Sequence, residues 1–136
     1  MASLQYNKSG YDKGHLANAE DFAYDSIKQE STFRYYNCLP QTPNLNRGVW
    51  KKWEKTLRDE SQTDSLLIIA GGIWKTKTIS HNMYIPDQCW KVAYSLKNHI
   101  VLYVLLFENK KINSTCKQIT LSQLEQKLGY KIDLSF

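Results

Sequence analysis

Asn44-Leu45-Asn46-Arg47-Gly48-Val49-Trp50-Lys51-Lys52-Trp53-Glu54-Lys55-Thr56-Leu57-Arg58-Asp59-Glu60 is the stretch whose reading decides the fold. Leu45, Val49, Trp53 and Leu57 fall at every fourth position, which a 3.6-residue turn lines up as one apolar stripe. Arg47, Lys51, Lys55 and Arg58 make a separate basic stripe. The pattern predicts a helix over residues 45–60, with Asn44 as its N-cap because a short polar side chain there can accept an orphan backbone N–H. Four like charges on one face weaken a free helix, so either solvent screens them or an anion lies along them.

Working outward, residues 34–41 are aromatic and extended, and residues 21–33 suggest a short helix. Residues 11–19 read as a strand end running into a loop, and residues 1–10 as a tail or edge strand. After the helix, residues 65–70 read as a buried strand closed by Gly71-Gly72. Residues 90–96 and 100–107 flank Lys97-Asn98-His99 and predict an antiparallel hairpin. Residues 109–113 are a polar turn. Ser122 with Glu125 suggests a capping box for a short last helix ending at Gly129. The expected architecture is α+β: an antiparallel sheet with one central helix packed on it.

The chain has 136 residues, 42% hydrophobic and 23% charged, which suits one globular domain and argues against disorder. Its longest apolar run, residues 100–107, is far short of the ~20 residues a bilayer-spanning helix needs, so no membrane association is expected. Residues 1–10 hold no apolar signal core. The net charge of +5 favours anionic partners. Cys38, Cys89 and Cys116 form no CxxC pair, so a structural zinc site is not expected and buried reduced thiols are.

Two segments concentrate chemically useful groups. One is Asp12-Lys13-Gly14-His15; the other runs from Asn37 to Arg58 and includes Asn46 and Glu54. Breaking a phosphodiester takes a base for water, positive charge for the phosphorane and help for the leaving oxygen. A histidine neutral near pH 7 suits the first task. Gly14 would allow a sharp turn that aims His15 into a cleft. On one continuous helix, Asn46 and Glu54 stand roughly 80° and ~12 Å apart. They cannot both touch one small ion, but hydrated Mg²⁺ can bind one and be reached by the other through water.

These segments resemble the DNA/RNA non-specific endonucleases, the endonuclease G-like ββα-metal (His-Me finger) class. The matching residues are Asp12-Lys13-Gly14-His15, Asn37-Cys38-Leu39-Pro40-Gln41, Leu45-Asn46, Trp50 and Glu54. Ile85-Pro86, Trp90-Lys91-Val92 and Gly129-Tyr130-Lys131-Ile132-Asp133 extend the likeness loosely to the C-terminus. The resemblance implies an antiparallel sheet with a central metal-binding helix, and Mg²⁺-dependent cutting of DNA and RNA, with Mn²⁺ as a possible substitute. It implies His15 as general base, Asn46 as the direct metal ligand and Glu54 as a ligand through water. It also implies Asn37 beside the histidine and Arg58 near the scissile phosphate. Lys13, Arg34, Arg47, Lys51 and Lys55 are the expected nucleic-acid contacts, and an inhibitor protein is a possible partner.

Two departures stand out. Lys13 occupies the family's arginine position, keeping the charge but losing the bidentate fork. The family also carries a longer segment before the motif, with a further catalytic arginine. Residues 1–136 are therefore read as a single nuclease domain lacking part of that segment, with Arg34 or Arg47 as candidates for the missing cation. The alternative is a catalytically weak or inactive member that acts as a nucleic-acid or partner binding module. His81 and His99 are expected at the surface, and Trp50 and Trp53 in packing rather than base stacking.

Overall fold

The computed structural model describes residues 9–16, 38–76 and 78–135. The expected helix at 21–33, and site residues Arg34 and Asn37, lie outside the described residues. Strands β1 (Asp12–His15) and β2 (Cys38–Gln41) pair antiparallel, with His15 opposite Cys38 and Asp12 opposite Gln41. The chain then enters helices α1 (Pro43–Arg47) and α2 (Val49–Glu60).

The single helix expected over 45–60 is thus two helices, broken at Gly48. Gly48 sits at φ −106°, ψ −113°, and a Cβ there would lie 2.5 Å from the Asn44 carbonyl oxygen. Only glycine lets the two backbones approach so closely. The cap is also two residues earlier than expected. The Thr42 side chain accepts from Leu45 N at 3.2 Å, and Pro43 follows it in the first turn, where its missing N–H costs nothing. Asn44 instead accepts from the Ser114 backbone at 2.7 Å.

Strands β3 (Leu66–Ile73), β6 (Gln88–Ser95), β7 (Ile100–Glu108) and β8 (Cys116–Gln118) form an antiparallel sheet in that order. A small ribbon of β4 (Ile79–Ser80) and β5 (Met83–Tyr84) interrupts the chain between β3 and β6. The expected hairpin is β6–β7. β3 is half-buried rather than buried, and it runs through Gly71 and Gly72, where the Trp90 indole covers Gly71 too closely for a side chain.

Successive residues of a strand face opposite ways, and both faces of β6 are covered, so all eight of its residues are buried. Cys89, Leu105 and Phe107 pack against Leu45 and Trp50 of the helix pair. Trp90, Val92, Val104 and Leu106 pack against Leu124 of α3 (Leu121–Leu128). The helix pair is therefore the central one, and α3 closes the other face. Its capping box is Thr120 with Gln123, two residues ahead of the expected Ser122 and Glu125, and it ends at left-handed Gly129 as expected. Cys38 and Cys89 are buried, Cys116 is half-exposed, and none of the three forms a disulfide. Among the described residues no helix is long and apolar enough to cross a membrane.

Candidate active site

The ββα unit brings the two chemistry-bearing segments together. Asn109 locks its corner: its side chain donates to Pro40 O at 3.0 Å and Pro86 O at 2.8 Å, and accepts from Thr42 N at 2.8 Å. Nothing in the sequence pattern marked Asn109, because its partners are backbone atoms far along the chain. With the junction between β2 and α1 fixed, α1 lies beside β1.

Asp12 is the contact between them. Its carboxylate accepts from Asn46 Nδ2 at 3.1 Å, and from Arg47 Nε at 2.9 Å and Nη2 at 3.0 Å. The Asn46 nitrogen is thereby turned to β1, which leaves the amide oxygen as the atom able to take a cation. Arg47 keeps an exposed side chain but is committed to Asp12. Because the break at Gly48 puts Arg47 and Asn46 on a different helix from Glu54 and Arg58, neither the continuous four-member basic stripe nor the 80° separation of Asn46 and Glu54 holds. Lys51 is exposed, Lys55 pairs with Asp59 at 2.9 Å, and Glu54 and Arg58 are half-buried one turn apart on α2.

His15 ends β1 and is half-buried. Burial lowers its pKa from 6.5, the Lys13 ammonium lowers it further, and a hydrogen bond with the Lys13 backbone opposes both. Lys13 and His15 alternate with Gly14, so both project from one face of the strand. Gly14 makes no turn. It is an ordinary strand residue paired with Leu39, and its side is filled by the buried Gln41 side chain, which a Cβ would strike. The glycine therefore serves close packing beneath the histidine.

Trp50 and Trp53 are packing residues. Trp50 is fully buried, edge-on to Phe107, and its Nε1 donates to His15 O at 3.3 Å. Trp53 packs edge-on to Tyr103. His81 and His99 are exposed. Cys89 and Cys116 are poor nucleophiles, since burial pushes their thiols up to about 12 and about 11.

Among the described residues no three of His, Cys, Asp and Glu gather as a caged metal site requires. The Asn46 amide oxygen and the Glu54 carboxylate of the next helix are hard oxygens, a chemistry that suits Mg²⁺, which keeps most of its own waters and takes few protein ligands, rather than zinc.

The DNA/RNA non-specific endonuclease family model matches residues 2–134, and the chain belongs to this family. A nuclease of Nostoc sp. is 29% identical over 140 residues, covering 92% of this chain and 51% of that protein. Mitochondrial endonuclease G of Bos taurus is 29% identical over 109 residues, covering 78% of this chain and 34% of that protein. The chain thus spans about half or less of the length of these relatives. A crystal structure of the EndoG/EndoGI complex, determined for the mechanism of EndoG inhibition, superposes with a TM-score of 0.80 at 21% identity. It covers 95% of this chain and 61% of that one, so the α+β, ββα-metal fold expected from the sequence is the fold observed.

Proposed function

We propose that the chain is a Mg²⁺-dependent endonuclease that hydrolyses phosphodiester bonds in DNA and RNA with little sequence preference. The observation that carries this reading is the Asp12–Asn46 hydrogen bond. It joins the strand bearing His15 to the helix bearing the oriented amide. Family membership supports the same substrate class.

His15, neutral at pH 7, takes the proton from the attacking water. Asn46 would hold the ion directly and Glu54 through water; when bound, Mg²⁺ supplies positive charge for the developing phosphorane and the leaving oxygen. Arg58 adds fixed charge beside the scissile phosphate, and Asn37 is a further active-site residue that the family resemblance implies. Lys13, Arg34, Lys51 and Lys55 draw the backbone in, while Arg47 serves first to bind Asp12. Contacts of this kind read phosphate rather than bases. EndoG is bound by EndoGI in the related structure, and a protein inhibitor is a partner consistent with this reading.

The test is cleavage of supercoiled plasmid and of single-stranded RNA with Mg²⁺, Mn²⁺ or EDTA, followed by sequencing of the ends. Both substrates should be cut with either metal, at no consensus, and EDTA should stop the reaction. Full activity in EDTA, or a defined consensus, would overturn the proposal.

A further inference from the structure

We infer that Trp50 is a positioning residue for His15: its indole N–H fixes the backbone from which the imidazole projects. The inference rests on the reading of His15 as general base. His15 is the last residue of a four-residue strand, and its ladder partner Cys38 is the first residue of β2. The histidine therefore stands at the last rung of the β1–β2 ladder. There its carbonyl oxygen accepts from Trp50 Nε1 on α2, at 3.3 Å.

The donor is itself held. Trp50 has no exposed surface, its ring meets Phe107 edge-on at 4.8 Å between centroids and 66°, and Lys91 Nζ lies 4.2 Å over the ring. Lys91 is only 3% exposed, on the fully buried strand β6. An indole gripped on edge and face cannot swing, so the direction of its N–H is set by the sheet core. A cation over the ring also draws π-density from it, which makes the N–H a better donor. Filling this space asks only for a large apolar side chain, whereas the polar handle of tryptophan is what reaches β1. A misplacement of about 1 Å can cost on the order of 10²-fold in rate, so the position of this carbonyl matters to the base carried by the same residue.

A purely structural Trp50 makes a different prediction from a positioning one. Replacing Trp50 by 3-benzothienylalanine keeps the bicyclic shape and puts sulfur where the N–H was. In cleavage of a defined DNA duplex with Mg²⁺, we expect kcat to fall about ten-fold, within the range that small misplacements cause, with KM and Tm close to wild type. Trp50→Phe should move kcat in the same direction. Wild-type kcat in the isosteric variant would overturn the inference, as would a loss of kcat matched by an equal loss of folded protein by circular dichroism. His15→Ala is run alongside. If it is inactive while the isosteric variant is normal, only the positioning role fails; if it is fully active, the general-base reading itself fails.

Discussion

Asp12 accepts from the side-chain nitrogen of Asn46 at 3.1 Å, across 34 positions of sequence. That bond decides which end of a chemically ambiguous amide faces away from β1. Partners that orient a metal ligand commonly matter about 10- to 100-fold in metal affinity. Asp12→Ala should therefore raise the Mg²⁺ concentration for half-maximal cleavage by about that factor, and Asp12→Asn, which keeps an acceptor oxygen, by less. Metal titration of cleavage, with Mn²⁺ binding by electron paramagnetic resonance, checks it. An unchanged metal requirement in Asp12→Ala would remove Asn46 as the ligand.

The pH dependence follows from His15. Its pKa is lowered below 6.5 by burial and by Lys13. With His15 as the proposed general base the neutral imidazole is the working form, so activity should be lost as pH falls through a midpoint below 6.5 and be level above it. Lys13→Gln removes a positive neighbour, which favours the imidazolium and shifts that midpoint upward. A midpoint that stays put, or falls, would mean that another group governs the profile.

Lys13→Arg should raise turnover. Lys13 and His15 project from one face of β1, and arginine can bond a phosphate through two parallel N–H donors where lysine is a point charge. An advantage of ~1–2 kcal/mol corresponds to roughly ten-fold in rate. Measured kcat/KM at equal salt decides it, and a variant no faster than wild type would refute this account of position 13 while leaving the base untouched.

The parts of this site legible in the sequence are those carried by side-chain identity and local spacing. The family could be read from the motifs that make His15, Asn46 and Glu54 candidates, and the β6–β7 hairpin from two apolar runs about Lys97-Asn98-His99. What the sequence hid depended on the backbone. The periodicity of Leu45, Val49 and Trp53 survives the break at Gly48, so the stripe concealed that α1 and α2 are separate helices. Gly48 itself, and Thr42 before Pro43, were the available signals. The role of Gly14 was hidden because its partner, the Gln41 side chain, comes from the paired strand. Asn109 and the Trp50–His15 bond join distant segments through backbone carbonyls, which leave no mark on composition.

Gly14 gives a stability prediction. Gln41 is fully buried, with Nε2 on the Cys89 sulfur at 3.4 Å, so it has little room to yield to a methyl group. Overpacking of this kind costs about 1–3 kcal/mol. Gly14→Ala should lower the denaturant midpoint accordingly at an unchanged m-value, and should cut activity by displacing His15. Wild-type stability would show that the strand pair can shift without penalty.

Nucleic-acid affinity should fall steeply with salt, and unequally across the basic residues. Lys55 is paired with Asp59 and Arg47 with Asp12, whereas Lys51 is exposed on the same helix as Glu54 and Arg58. Lys51→Ala should reduce the slope of log affinity against log salt by about one, and Lys55→Ala by less. Equal slopes in wild type and Lys51→Ala would take Lys51 out of the interface.

The central claim is that His15 is the general base, and its most direct test is the rate of plasmid nicking by His15→Ala beside wild type, at equal salt and saturating Mg²⁺, with the fold of both checked by circular dichroism. General-base catalysis contributes about 10²–10⁴-fold, so the variant should fold normally and cut at no more than about a hundredth of the wild-type rate. A folded His15→Ala that keeps more than about a tenth of the activity, far above what loss of a base allows, would contradict the assignment.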